Sequence, residues 1–256
     1  MTGSFFWHEL NTLDLERSAA FHASVLDLDA IQDAATGAFA LAHRGSNTPL
    51  LGLSPMMPSD DAVSHWIGYL AVPDLDAALA LTDDHGGLTH VHSDDLDPAA
   101  AEQGRFAVIT DPTGAVVLLR EGTPSTASLP AALPQAGDVA WIELLTSDRA
   151  AAAAFYTALL GWEFGPEHPR ADEGSAQAVF AHGRQIGLMR DLQAGSPIPP
   201  FWSFYHCVQD LTRAIAYARQ LGGFAYEDPA DVDGGRRVLM LDPTGAPTGF
   251  WAPHVA

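Results

Sequence analysis

The sequence has no lysine: its twelve positive side chains are all arginines, against 32 aspartates and glutamates. The formal net charge is −20 at pH 7. A surface this acidic repels nucleic-acid phosphates and anionic lipid headgroups, so we expect neither nucleic-acid nor membrane partners. A neutral or cationic small molecule is the kind of ligand that such a charge favours.

Cysteine is almost absent, and long apolar runs are absent altogether. Cys207 is the only cysteine, which excludes an internal disulfide and a multi-cysteine metal site. No stretch reaches 18 uninterrupted apolar residues, and the first ten residues lack the basic region of a signal peptide. These absences predict a soluble protein of the reducing cytoplasm.

The sequence does contain a long internal repeat. The stretches 7–28 and 141–162 share residues at a constant offset of 134 positions: Trp7 and Trp141, Glu9 and Glu143, Leu10 and Leu144, Thr12 and Thr146, Asp14 and Asp148, and Phe21 and Phe155. Each stretch is typical of an alternating strand followed by a helix that begins after an aspartate.

The same order of elements recurs within each half of the chain. A second strand begins near Trp66 in the first half and near Trp202 in the second, and each half closes on an Asp-Pro-Thr-Gly turn. Residues 122–137 are rich in Pro, Ser, Thr and Ala, which is typical of a linker. We therefore predict two α+β domains, at residues 1–121 and 138–256.

Four strand-helix-strands units in two tandem pairs, with W-x-E-L-x-T-x-D near the start and D-P-T-G-A near the end of each pair, resemble the vicinal oxygen chelate superfamily. That superfamily includes glyoxalases, bleomycin-resistance proteins and extradiol dioxygenases. The chain is similar in particular to tandem two-domain glyoxalase-like proteins of high-GC bacteria, over roughly residues 5–121 and 139–252. The resemblance implies two glyoxalase-like domains, each built from two βαβββ units that form a cupped mixed sheet. It does not single out an activity, because this fold hosts many chemistries.

Metal-dependent members of that family carry ligands on inward positions of four strands, and three of these positions can be located in each half. They are Trp7, Ile67 and Leu118 in the first half and Trp141, Ser203 and Gly249 in the second. The fourth strand, near residues 50–53 and 187–190, offers no histidine or carboxylate. Divalent metals need His, Asp, Glu or Cys donors. We therefore expect no metal and no cofactor, unless a one-residue shift turns His8, His65 or His206 inward.

Alternation along the strands predicts instead that aromatic and hydroxyl side chains line the two cups. Such walls suit a flat, largely apolar ligand, because rings supply contact area and a few polar groups fix its orientation. The predicted ligand-binding residues are Trp7, Asn11, Tyr69 and Arg120 in the first cup and Trp141, Ser203, Tyr205 and Trp251 in the second. Trp66 and Trp202, one step out of phase, are predicted to be core residues.

Glu9 and Glu143 are the candidate catalytic residues. A carboxyl group in an apolar cup can serve as a general acid or base in enolisation, epimerisation or cyclisation. The alternative is a glutamate paired with Arg120 or with a backbone donor. Since Trp251 takes the place of Arg120 in the second half, no basic partner is expected for Glu143.

These observations favour a metal-independent enzyme that acts on a bulky, partly aromatic small molecule, such as a secondary metabolite. The alternative is a drug-binding or resistance protein without turnover, and the sequence hardly separates the two. A metal-dependent lyase or dioxygenase is a third possibility, which the missing donors disfavour. Tandem domains in one chain are compatible with a monomer or a homodimer.

Overall fold

The computed structural model describes residues 3–57, 62–96, 104–122, 130–131, 134–170, 174–193, 195–196, 198–232 and 234–254. Part of the predicted linker therefore lies outside the described residues. The α-helices in these ranges are α1 (Leu15–Leu26), α2 (Leu75–Asp84), α3 (Arg149–Leu160) and α4 (Leu211–Gln220). Each begins after an aspartate whose side chain accepts a hydrogen bond from the backbone N–H three residues later.

Along the described residues of the first half of the chain, one strand precedes α1, four strands lie between α1 and α2, and three strands follow α2. They are β1 (Phe5–Thr12), β2 (Leu28–Gln32), β3 (Phe39–His43), β4 (Pro49–Pro55), β5 (His65–Val72), β6 (Leu88–His92), β7 (Phe106–Thr110) and β8 (Val116–Glu121). Those of the second half are β9 (Val139–Thr146), β10 (Glu163–Arg170), β11 (Gly174–Ala181), β12 (Arg184–Asp191), β13 (Phe201–Cys207), β14 (Phe224–Ala225), β15 (Ala230–Val232), β16 (Gly235–Leu241) and β17 (Pro247–Pro253).

Each half of the sequence forms one mixed sheet. Within the described residues the strand order is β2-β3-β4-β1-β5-β8-β7-β6 in the first sheet and β10-β11-β12-β9-β13-β17-β16-β14 in the second, with β15 paired to β16. The strand before each helix pairs in parallel with the last strand of its own βαβββ unit, as β9 does with β12 and β13 with β17. Two such units share each sheet, which confirms the predicted α+β, glyoxalase-like fold class.

The chain also divides into two compact units that do not follow the halves of the sequence. Unit 1 contains Met1–Trp7, Ile67–Leu129 and Ile142–Trp202, and unit 2 contains His8–Trp66, Pro130–Trp141 and Ser203–Ala256. Each unit therefore takes residues from both halves. The predicted limits at residues 121 and 138 mark the sequence repeat, and as domain boundaries they stay a prediction.

An aromatic cluster forms the core of unit 1. Phe5, Tyr156 and Trp162 surround Trp202 with ring centroids 5.2, 5.3 and 5.5 Å away. The Trp202 indole donates a hydrogen bond to the Tyr156 hydroxyl at 2.7 Å, and this hydroxyl donates to Asp111 at 3.2 Å. Trp202 is 1% exposed, so its prediction as a core residue is confirmed.

Histidines take the corresponding place in unit 2. Trp66, the other predicted core tryptophan, is 5% exposed and packs against His8, His22 and His206 with ring centroids 5.3, 5.3 and 5.6 Å away. His22 Nε2 lies 3.5 Å from Asp242 Oδ2, in the second Asp-Pro-Thr-Gly turn. Unit 2 thus has ionisable groups where unit 1 has a largely aromatic core.

Candidate functional site

Three neighbouring strands of unit 2 bring predicted binding residues to one face. β13 pairs in parallel with β17, and β17 pairs with β16. The register sets Tyr205 opposite Gly249 and Trp251 opposite Arg237, and alternation puts Ser203 on the same face. We refer to Ser203, Tyr205, Arg237 and Trp251 as the aromatic face.

Glycines leave room for both rings of the aromatic face. A Cβ added at Gly249 would lie 2.5 Å from the Cδ1 and Cγ atoms of Tyr205. One added at Gly235 would lie 2.6 and 2.7 Å from the Cε2 and Cζ2 atoms of Trp251. Each ring therefore occupies the space above a glycine of the adjacent strand. This close packing holds the rings in fixed positions before any ligand arrives.

Arg237 adds a positive charge beside these rings. Its guanidinium carbon lies 5.6 Å from the centroid of the Tyr205 ring, within the range of a cation–π contact. Its Nη1 atom also donates to Glu227 Oε1, and the two side chains are 0% and 5% exposed. This ion pair was not predicted, because the register of β16 against β17 has no signature in the sequence.

Three polar atoms of the aromatic face are buried without a hydrogen bond among the described residues: Ser203 Oγ, Trp251 Nε1 and Arg237 Nε. The Arg237 side chain is already paired with Glu227 through Nη1, so Ser203 and Trp251 are the two of interest for a ligand. Leaving a buried polar group unsatisfied costs about 1–3 kcal/mol. Such atoms therefore mark a place where a ligand or water completes the hydrogen bonding. The serine hydroxyl can donate or accept a hydrogen bond, whereas the indole can only donate one.

Glu143, a predicted catalytic residue, lies in a buried ion pair in unit 1. Arg190 Nε donates to Glu143 Oε2 at 2.7 Å, and the two side chains are 2% and 0% exposed. Arg190 belongs to β12, which runs parallel to β9 and sets Arg190 opposite Leu145. The expectation that Glu143 has no basic partner is therefore wrong. It rested on the position of Arg120 alone, whereas the partner comes from the neighbouring strand on the other side.

The remaining predicted residues of unit 1 differ in exposure. Tyr69 is half-buried on β5 and meets Phe6 edge-on, with ring centroids 6.2 Å apart. Trp7 is also half-buried, whereas Arg120 on β8 is exposed. Tyr69 and Arg120 lie on paired strands, since β5 and β8 set Ala71 opposite Arg120. Their role in binding stays a prediction.

The remaining predicted residues of unit 2 lie on β1 and β9. Glu9 and Asn11 are half-buried and stand opposite Gly52 and Ser54 of β4. Trp141 is 8% exposed, which fits a wall residue and a core residue equally well. The predicted alternative that pairs Glu9 with Arg120 joins residues of different units and stays a prediction.

The donor set does not fit a divalent metal at the positions that the family uses. The Tyr205 ring fills the space above Gly249, one of the ligand positions that the resemblance to metal-dependent glyoxalases implies. Elsewhere in the described residues, no group of three or more His, Cys, Asp and Glu side chains is arranged to hold a metal ion. His206 packs against Trp66, on the face of β13 opposite to Tyr205, so it does not line the aromatic face.

Part of the chain matches a known sequence family, and nearly the whole chain is similar in sequence to a named protein. Residues 141–249 match the family of glyoxalase-like domains. The chain is 28% identical over 261 residues to the anthracycline biosynthesis protein DauV of Streptomyces sp. strain C5. The alignment covers 95% of this chain and 91% of that protein. No helix in the described residues is long and apolar enough to cross a membrane.

Solved structures share the fold over nearly the whole chain. The 2,2',3-trihydroxybiphenyl 1,2-dioxygenase of Sphingomonas wittichii strain RW1 superposes with a TM-score of 0.67 at 14% identity, covering 98% of this chain and 91% of that one. The Mn(II)-bound glyoxalase of Novosphingobium aromaticivorans gives a TM-score of 0.64 at 16% identity, covering 98% and 82%. At these identities the similarity concerns the fold alone.

Proposed function

Since residues 141–249 match the family of glyoxalase-like domains and the chain shares the fold of solved extradiol dioxygenases and glyoxalases, we propose that it acts on a bulky, partly aromatic secondary metabolite without a divalent metal. The observation that carries this proposal is the aromatic face, with its closely packed rings and with Ser203 Oγ and Trp251 Nε1 buried without a hydrogen-bond partner among the described residues. The similarity to a protein named for anthracycline biosynthesis supports a planar, polycyclic ligand of that type.

Binding rests on stacking and on two hydrogen bonds. Trp251 is half-buried, so part of its ring remains open to a planar ligand. A carbonyl or phenol oxygen of the ligand would accept from Trp251 Nε1 or pair with Ser203 Oγ. Each such bond removes the cost of an unsatisfied buried atom, which gives the site a preference for ligands with oxygen substituents.

Turnover in this proposal depends on a carboxylate. The candidates are Glu143, which the alternation along the strands predicts for the same cup as Ser203, Tyr205 and Trp251, and Glu9. The ion pair with Arg190 favours the anionic form of Glu143, which suits a base rather than an acid. A base of this kind removes a proton from a carbon next to a carbonyl group. Enolisation, epimerisation and cyclisation of an oxygenated polycyclic compound all begin with that step.

Binding without turnover is the second candidate function, and the same ion pair favours it. A carboxylate held by a buried guanidinium is a weaker base, and a buried pair can serve the packing alone. The two functions share the ligand and differ in the fate of the bound molecule.

Binding is tested by titrating the protein with a hydroxyanthraquinone and following tryptophan fluorescence. We expect quenching in the wild type and about tenfold weaker binding in Trp251→Ala, because a stacking contact is lost. Trp251→Phe should retain part of the affinity, since it keeps an aromatic ring and loses the N–H donor and part of the stacking area. Tyr217→Ala, at a 41% exposed tyrosine away from the aromatic face, serves as control. Equal affinity in Trp251→Ala and the control would contradict the site.

Turnover is tested with Glu143→Gln, which preserves the size of the side chain and an acceptor for Arg190. Candidate polycyclic compounds are incubated with each protein, and the products are separated by chromatography. We expect the variant to bind within about twofold of the wild type and to lose turnover by at least about a hundredfold. Unchanged turnover would exclude Glu143 as the base, and a wild type that binds without converting would select the second function.

A further inference from the structure

Three buried histidines lie together at the centre of unit 2. They come from β1 (His8), α1 (His22) and β13 (His206), and each is at most 1% exposed. The Nε2 atoms of His8 and His206 are 2.9 Å apart. His8 also lies between Trp66 and Phe204, with ring centroids 5.3 and 4.9 Å away. We refer to His8, His22 and His206 as the histidine cluster.

The short contact requires that His8 and His206 share a single proton between their Nε2 atoms. One imidazole donates from Nε2 and the other accepts, so at least one of the two rings is neutral. The Nδ1 atoms of His8 and His22 are buried with no hydrogen-bond partner among the described residues. An added proton on His8 would therefore place a positive charge in the core without an acceptor.

Burial is also the main cause of the low proton affinity of this pair. Burial, assisted by the neighbouring His22, lowers the pKa of His8 from 6.5 to about 3. Burial, followed by the proximity of His8 and His22, lowers the pKa of His206 well below its ordinary value. Both side chains are thus neutral in the folded unit at neutral pH.

The charged group that faces the cluster is Asp242, and its carboxylate is already engaged. It accepts hydrogen bonds from Ser18 at 3.0 Å, from the Thr244 hydroxyl at 2.7 Å and from the Ala246 N–H at 2.9 Å. Burial would raise the pKa of Asp242, but its contacts with His22, Thr244 and Ala246 together lower it. Asp242 is therefore an anion beside His22, the third ring of the cluster.

The repeat shows that the fold does not need these imidazoles. Positions 134 residues on from His8 and His22, and 136 residues before His206, are occupied in unit 1 by Ile142, Tyr156 and Leu70. All three of those residues are fully buried in unit 1. The same structural positions thus accept side chains that do not titrate near neutral pH, and unit 2 carries titratable ones instead.

We propose that the histidine cluster is a proton-sensitive element that opens unit 2, and leaves unit 1 closed, when the pH falls below neutrality. A histidine that is less basic in the folded state takes up its proton on unfolding. Its contribution to stability is complete above the unfolded pKa of 6.5 and is lost as the pH falls toward the folded pKa of about 3. Opening of β13 would also disrupt the aromatic face, because Ser203 and Tyr205 lie on the same strand.

The change in stability with pH can be calculated from the pKa of His8 alone. With a pKa of 6.5 unfolded and about 3 folded, lowering the pH from 8 to 5 raises the ratio of unfolded to folded protein about 30-fold. His206 adds to this in the same direction, because its pKa is also lowered.

Hydrogen exchange of the wild type at pH 7 and pH 5, corrected for the intrinsic pH dependence of exchange, tests the proposal directly. We expect at least about a tenfold loss of protection at pH 5 in α1 and β16 of unit 2. Helix α3 and strand β12 of unit 1 should keep their protection. An equal loss in both units, or no loss in either, would overturn the proposal.

The second test uses a variant in which two histidines of unit 2 are replaced by the residues found at the corresponding positions of unit 1. The double variant His8→Ile and His206→Leu removes both partners at once, so it leaves no imidazole without its neighbour. In urea unfolding, the wild-type midpoint should fall from pH 8 to pH 5, whereas the midpoint of the double variant should change less. His168→Asn, at an exposed histidine on β10, should keep the wild-type pH dependence. A double variant as pH-dependent as the wild type would refute the role of the cluster, and if that variant does not fold, the exchange comparison decides.

Discussion

At the scale of single residues, Arg190 changes the chemistry that the sequence suggests for Glu143. A glutamate on an inward strand position could be a free acid or base, but Arg190 Nε donates a hydrogen bond to Glu143 at 2.7 Å and gives it a buried counterion. Neither side chain is more than 2% exposed, so solvent screens the attraction between the two charges very little. The pair must therefore be treated as one group, both in its effect on stability and in any reaction.

Replacing Arg190 alone should be more damaging than replacing both partners. Arg190→Ala leaves a buried carboxylate without its counterion, which costs about 3–5 kcal/mol in the free energy of unfolding. The double variant Arg190→Met with Glu143→Leu removes both charges and keeps the volume, so most of that loss should be recovered. Urea unfolding at pH 7 gives the free energy of unfolding of the wild type, Arg190→Ala and the double variant. A double variant as unstable as Arg190→Ala would show that the pair acts through packing and not through charge.

At the scale of elements, the four aspartate caps explain why the helix starts were predictable. Each cap depends on one side chain and on a backbone N–H three residues away, so the whole signal is local. Helix α1 and strand β1 accordingly lie where the alternation and the cap at Asp14 indicate. The ends of strands and the turns at Asp111 and Asp242 are local in the same sense.

We expect Asp148→Ala to destabilise the protein by about 0.5–2 kcal/mol, because the Ala151 N–H loses its acceptor at the start of α3. Asp148→Asn keeps a side-chain oxygen at the same position and serves as control. Urea titration gives the free energy of unfolding of the wild type, Asp148→Ala and Asp148→Asn. Equal losses in the two variants would show that the negative charge at the helix start matters and the hydrogen bond does not.

Strand register is where the sequence ceased to be informative. Ser203, Tyr205 and Trp251 could be placed on one face, because alternation within a strand follows from the sequence. The partners Arg190 and Arg237 could not, because each comes from a neighbouring strand whose register is set by distant contacts. The site was therefore predictable in its rings and hydroxyl, and not in its buried charges.

At the scale of the whole molecule, the repeat predicted two sheets but not the two compact units. Each sheet follows one half of the chain, whereas each unit draws on both halves. Nothing in the repeated sequences indicates which βαβββ units of the two halves belong to the same compact unit. That choice depends on the complementarity of buried faces, which only the folded structure displays.

We also expect the purified protein to contain no stoichiometric divalent metal, and dialysis against a chelator to leave ligand binding unchanged. The reason is the donor set: the positions used by metal-dependent relatives carry Trp, Ile, Leu, Ser and Gly in this chain. Elemental analysis of protein prepared without added metal is the measurement. About one ion per domain, or affinity that disappears with the chelator, would contradict a metal-independent function.

The Tyr205 ring above Gly249 also restricts how the site can change by mutation. Introducing a carboxylate at position 249 by one mutation would drive the new side chain into that ring, since even a Cβ would lie 2.5 Å from it. A metal ligand at this position would require a smaller residue at position 205 first, and with it the loss of a packed, fully buried side chain. The two changes are favourable only together, so selection acting on single steps would retain the present arrangement. Among descendants of this protein, we therefore expect diversification of the ligand rather than the gain of a metal.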